Sequence, residues 1–372
     1  MDRADSTASS DNQHFVPQFY LKAWCPFPSK SKAGLRCVRA WNLRSGRIGR
    51  PVSIKHECSR SGFYGPKANP TDNWLTAVEG TVSNHIWNFR SAPPRMPTAD
   101  EDLAIRKFMG MQMPRTRYSE RETQALLERI DGLFDDSQDR DTVRQLIAPA
   151  RDLDLSASIP NFTMSILAAT SDLGLLVAHN DTDLEFVTSD NPVVMVNHAF
   201  PRHLNMGFRD AGLLVLLPIS PQSTVVLYDR SAYERKRVAS CTPNDVRAMN
   251  LIQACNARNN LYFRDDHTDL TSICAKAHKH RSANTPYVAL AVADDPKDGE
   301  LLHFGNCRPN PRVRFSFAIP TRKFRRKFSK QIASPTTEMR VPSRASLPEI
   351  RTVEHDHSAD GVRFTQVSKI EL

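Results

Sequence analysis

Glu185-Phe186-Val187-Thr188-Ser189-Asp190-Asn191-Pro192-Val193-Val194-Met195-Val196 places two short β-favouring runs on either side of a polar knot. Apolar runs this short, bounded by Asp-Asn-Pro, read as two buried strands joined by a tight turn. Pro192 removes a backbone donor and biases Asn191 toward extended backbone, which stiffens the turn. Ser189, Asp190 and Asn191 are thereby held at a strand end, where a rigid scaffold can present polar side chains. An Asx-turn, in which Asp190 or Asn191 bonds its own backbone, accounts for the same residue types without any site.

Upstream of the turn, His14-Phe15-Val16-Pro17-Gln18-Phe19-Tyr20-Leu21-Lys22-Ala23-Trp24 is dense in aromatics and is expected to dock into the core. Pro17 suits the first turn of a helix running through Trp24, with His14 and Gln18 near its start. Cys37–Trp41 alternates as a strand does, and Arg44-Ser45-Gly46-Arg47 turns it back toward Val52–Ile54. Leu75, Val78, Val82, Ile86 and Phe89 recur at helical spacing, and predict a helix over 72–90 that carries Glu79 beside its apolar stripe. Thr98-Ala99-Asp100-Glu101 and Ser119-Glu120-Arg121-Glu122 read as capping boxes opening two more helices. Pro114 ends the first of these, just before Arg115. A helix over 160–170 and a strand over 173–179 lead into the turn. Beyond it come strands at 213–218 and 224–228, a helix opened by Thr242-Pro243-Asn244-Asp245, and a strand at 261–263. Residues past 265 give weaker signals.

The 372 residues carry a net charge of +9, unevenly distributed. Residues 22–60 have a net charge of +9 and residues 308–372 of +8, while 61–307 between them carry −6. Two basic segments around an acidic middle suggest a polyanionic partner, nucleic acid first, contacted through residues 22–60 and 312–330. A solvated basic surface explains the same asymmetry. No run of 18 apolar residues occurs, so no membrane partner is expected. An odd count of seven cysteines without a Cys-x-x-Cys pair suggests reduced thiols and a cytoplasmic location. The sequence has no Walker loop, Gly-x-Ser-x-Gly elbow, Rossmann glycine fingerprint or His-Glu-x-x-His helix, which removes the commonest motif-bearing enzyme classes.

Four stretches in this order resemble a family known only as domain of unknown function 4238. They are His14–Leu21, Gln112 with Arg115-Thr116, Thr188–Pro192, and Leu217-Pro218-Ile219-Ser220. Glu79 also sits where that family tends to place an acid. Members often show Arg-Thr-Pro in the second stretch, whereas Arg117 follows Thr116 here and Pro114 precedes Arg115. The resemblance spans about residues 14–265 and implies a bacterial, cytosolic-type protein without naming a chemistry.

The polar residues of these stretches are His14, Gln18, Glu79, Gln112, Arg115, Ser189, Asp190 and Asn191. Two acids and a histidine are the inventory of a one-metal phosphodiester site. In that reading Glu79 and Asp190 hold Mg or Mn, His14 is a general base or ligand, and Arg115 clamps a phosphate. Gln18, Gln112, Ser189 and Asn191 would line the site. The alternative is a buried polar network that braces the N-terminal segment, in a non-catalytic nucleic-acid- or partner-binding protein. The expected fold is α+β: a mixed or antiparallel sheet packed by several helices. Residues 1–12 are expected to be disordered, 13–320 to form a single domain, and 321–372 to be a basic, largely disordered tail.

Overall fold

The computed structural model describes residues 12–26, 36–66, 69–91, 94–133, 156–200, 207–234, 236–264, 269–282, 287–292, 300–305, 311–329, 354–359 and 362–367. Eight α-helices lie among them: α1 Gln18–Leu21, α2 Pro70–Ser91, α3 Ala99–Gln112, α4 Arg117–Leu133, α5 Ile159–Thr170, α6 Pro243–Asn256, α7 Leu270–Ser282 and α8 Arg322–Lys327. With two larger β-sheets they make an α+β protein.

The first sheet has five strands, in the order Val238–Ser240, Gly174–His179, Ser223–Tyr228, Leu213–Ser220, Val194–Asn197. All neighbours are antiparallel except Val238–Ser240, which runs parallel to Gly174–His179, so the sheet is mixed. Its longest strand is buried at every residue. Alternate side chains point to opposite faces, so Leu213, Val215 and Leu217 enter one core while Leu214 and Leu216 enter another. The first core also takes Tyr20 and Trp24 from the aromatic N-terminal segment, Phe108 from α3, and Leu75, Val82, Ile86 and Phe89 from the stripe that periodicity picks out.

The second sheet is antiparallel, ordered Arg47–Ile48, Cys37–Asn42, Asn260–Phe263, Thr188–Ser189, with Val52–Ser53 also pairing with Cys37–Val38. Gly46 has φ of 65°, which an L side chain rarely adopts, and closes the expected turn at 44–47.

Three expectations change. The two runs flanking the central turn do not pair with each other: Thr188–Ser189 pairs with Leu261–Tyr262, whereas Val194–Asn197 pairs with Leu213–Leu216 in the other sheet. The turn is therefore a crossing between sheets. α4 starts at Arg117 and not after the expected Ser119 cap, because the Thr116 hydroxyl accepts the Ser119 amide (3.2 Å) and caps the helix three residues earlier. Residues 321–329, expected to begin the tail, instead pack: Thr321 caps α8, and Phe324 is buried against Phe200 and Phe328 in the second core. The capping box at Thr98 and the capped helix start at Thr242 form as expected, the second also closing as a capping box with Asp245.

α7, a strand pair at Tyr287–Val292 and Glu300–Gly305, and another at Glu354–Ala359 and Val362–Val367 lie past residue 265, where the sequence signals are weak. Of the N-terminal segment expected to be disordered over 1–12, residues 1–11 lie outside the described residues and Asn12 opens a short strand, Asn12–His14, paired with Ser59–Ser61. After 329, residues 330–353, 360–361 and 368–372 also lie outside them.

Candidate functional site

A chain crossing between two sheets leaves backbone groups that no ladder satisfies, and buried ones need partners. α6 supplies them. Asn250, Gln253 and Asn256 recur every third residue on its buried face. Asn250 accepts the Val187 amide (2.9 Å) and donates to the Glu185 carbonyl (2.8 Å). Gln253 accepts the Ser189 hydroxyl (2.8 Å) and donates to the Pro192 carbonyl (2.6 Å). Asn256 donates to the carbonyls of Asn191 (2.7 Å) and Val193 (3.2 Å), and its own carbonyl accepts from the Asn191 side chain (3.2 Å).

The N-terminal segment holds the crossing from its other side. Tyr20 Oη lies 2.7 Å from Thr188 Oγ1 and donates to the Pro218 carbonyl (2.6 Å), while Trp24 Nε1 donates to the Phe186 carbonyl (2.9 Å). Thr116 Oγ1 donates to Asn191 Oδ1 (3.2 Å), which ties the start of α4 to the turn. Gln112 Nε2 donates to the Phe15 carbonyl (2.7 Å), and its Oε1 is buried without a hydrogen-bond partner.

Arg115 is 2% exposed and engages all three guanidinium nitrogens. Nη1 donates to Glu79 Oε1 (2.6 Å), Nη2 to the His14 carbonyl (2.5 Å), and Nε to Tyr64 Oη (2.9 Å). The ring of His14 places Nε2 3.2 Å and 3.1 Å from the carbonyls of Ile54 and Lys55, and burial pushes its pKa down. Asp190 is 4% exposed. Its Oδ1 accepts the Arg258 amide and its Oδ2 the Asn259 amide, both at 2.7 Å. Burial raises its carboxyl pKa, opposed by those amide bonds.

The four stretches singled out in the sequence thus meet in one network: His14–Leu21 touches Gln112, Arg115, Thr188 and Pro218, and Thr116 reaches Asn191. Gln18 is the exception, with an exposed side chain on α1. The network does not have the layout of the expected metal site. Glu79 is the partner of Arg115, and the two oxygens of Asp190 face amide hydrogens, which a cation would repel. Among the described residues no three His, Cys, Asp or Glu side chains are grouped to hold an ion. The arrangement does not fit Mg or Mn at Glu79 and Asp190. Arg115, expected to clamp a phosphate, is already bonded on three sides.

Sequence reasoning missed Tyr64, Asn250, Gln253 and Asn256. A signal for the last three existed: amides at i, i+3 and i+6 on a helix whose buried face also carries Met249, Ile252 and Cys255. Polar groups repeated on an apolar stripe imply a backbone to be satisfied. Tyr64 had no such signal.

A second region stands apart. α8 carries Arg322, Lys323, Arg325, Arg326 and Lys327, all exposed, around the one buried side chain Phe324. Arg312 and Arg314 are exposed just before it. In the other basic segment, Arg44, Arg47, Arg50 and Lys55 are exposed around the Gly46 turn.

An α+β protein whose motif residues lock an N-terminal segment onto a sheet-to-sheet crossing is the class that fold and network define. The family model described as a protein of unknown function, DUF4238, matches residues 12–267, and the chain belongs to that family. No curated protein and no solved structure shows a significant match. No described helix is long and apolar enough to cross a membrane.

Proposed function

We propose that this chain is a nucleic-acid-binding protein in which the polar network around Asp190 is structural and carries no catalysis. The observation that carries the reading is α8, a six-residue helix with five exposed cations fixed to the core by Phe324. A helix pinned by an apolar anchor fixes the spacing of its charges and spares the backbone ordering cost of binding, leaving only that of the side chains. Arg312, Arg314 and the basic turn at 44–55 add exposed charge of the same sign. Phosphates neutralised by such groups release counterions, so affinity falls steeply with salt.

The test is fluorescence anisotropy with labelled DNA and RNA over a range of salt. Wild-type binding should weaken linearly on a log–log plot, and Arg325→Ala with Arg326→Ala should flatten the slope by somewhat under one unit per lost phosphate contact. Affinity independent of salt, or no binding, would remove the reading. Cleavage of either substrate with added Mn²⁺, lost in Asp190→Asn at unchanged stability, would restore the hydrolase alternative.

A further inference from the structure

A groove of about 580 Å³ opens between α6, α7 and the segment at Val313–Arg314. That volume lies within the range of small-ligand pockets. Leu251, Ile273 and Val313 give it an apolar lining, with Ile273 buried and the other two half-buried. Arg247, Lys276 and Arg314 line it too, and all three side chains are exposed. The acid among its lining residues is Asp269, whose Oδ1 already accepts the Ser272 amide (3.0 Å) and caps α7. The local balance is therefore positive. Arg314 also belongs to the basic segment that continues into α8, so the groove lies along the same chain as the cations there.

We propose that this groove seats one nucleotide of a single-stranded nucleic acid, its base on the apolar lining and its flanking phosphates on Arg247, Lys276 and Arg314. The proposal rests on the nucleic-acid-binding reading and narrows it to strand type. Apolar side chains receive a base only by its face, and a single strand offers that face freely. A duplex keeps its base faces in the stack and would have to unstack one, at an energetic cost, to use the lining. Phosphates alone would account for the three cations, but not for an apolar lining between them. The amphipathic make-up of the groove therefore favours the single strand.

The experiment compares a labelled single strand with its own duplex, using the full chain. Wild type should bind the single strand more tightly. Arg247→Ala and Lys276→Ala should each lower the single-strand salt slope by about 0.7. Ser272→Trp, which fills the groove from α7, should weaken single-strand binding about tenfold, the equivalent of roughly 1.4 kcal/mol, and leave duplex binding unchanged. Thermal melts check that each variant folds, and the two exposed-cation variants carry the test if the tryptophan does not. Equal affinity for the two forms, or single-strand binding indifferent to the charge variants, would overturn the groove while leaving the broader reading intact. Salt-independent binding to both forms, or none, would overturn the broader reading itself.

Discussion

The crossing at 185–193 and the helix α8 use ionic side chains in opposite ways. Around the crossing, Arg115 and Asp190 are almost wholly buried and every bond they make is to protein. On α8, five cations face water and only Phe324 is buried. Charge taken into a protein interior is costly unless paired and hydrogen-bonded, so the first arrangement has one conformation or none. Charge left at the surface contributes little to stability and stays free to meet a partner. The two regions should therefore respond differently to mutation, one in stability and the other in binding.

The largest effect is expected from Arg115→Met. It leaves Glu79, Tyr64 and the His14 carbonyl without their donor at once, and should cost about 3 kcal/mol, the low end of the range for breaking a buried pair because Glu79 keeps 28% of its side chain exposed. Denaturant midpoints measure this. Arg115→Lys should recover little, since one ammonium cannot serve three partners set in a plane. A variant as stable as wild type would break the contrast between the regions.

Acid should act next. Burial pushes His198, packed on Phe315 at 4.9 Å, down to about 4. With its folded value below the ordinary 6.5, its stabilising contribution is complete above pH 6.5 and is lost as pH falls toward 4. The loss amounts to about 3 kcal/mol at most. His198→Phe should therefore flatten the decline in unfolding free energy between pH 6.5 and 4 relative to wild type. Parallel curves would show that His198 is not the group responsible.

Asp190→Asn keeps the shape but turns an amide nitrogen toward a backbone N–H of Arg258 or Asn259. A loss of about 2 kcal/mol is expected from the unsatisfied donors, read by calorimetry without metal. An unchanged melting temperature would show that the turn does not depend on that carboxylate. The smallest effect belongs to Arg325→Ala combined with Arg326→Ala, whose stability should stay within about 0.5 kcal/mol of wild type. A large loss there would make α8 part of the fold's support and weaken its reading as a binding surface.

Local rules account for what the sequence by itself determined. The helices at 70–91, 99–112, 159–170 and 243–256, the caps at Thr98 and Thr242, and the strands at 174–179, 213–220 and 223–228 follow from periodicity and capping, which act within a few residues. The motif residues that meet around the crossing, apart from Gln18, were also legible: Ser189, Asp190 and Asn191 as a polar knot between apolar runs, and His14, Glu79, Gln112 and Arg115 through the family resemblance. What they do was not. Whether Asp190 faces a cation or two amide hydrogens depends on Arg258 and Asn259, 68 and 69 residues along the chain. Whether Glu79 is a ligand or a counterion depends on Arg115, 36 residues away. The partition of the two flanking runs into separate sheets likewise came from strands at 213–220 and 260–263. Tertiary structure decided these points because burial and partner geometry, which fix what a charged group can do, arise from segments far apart in sequence.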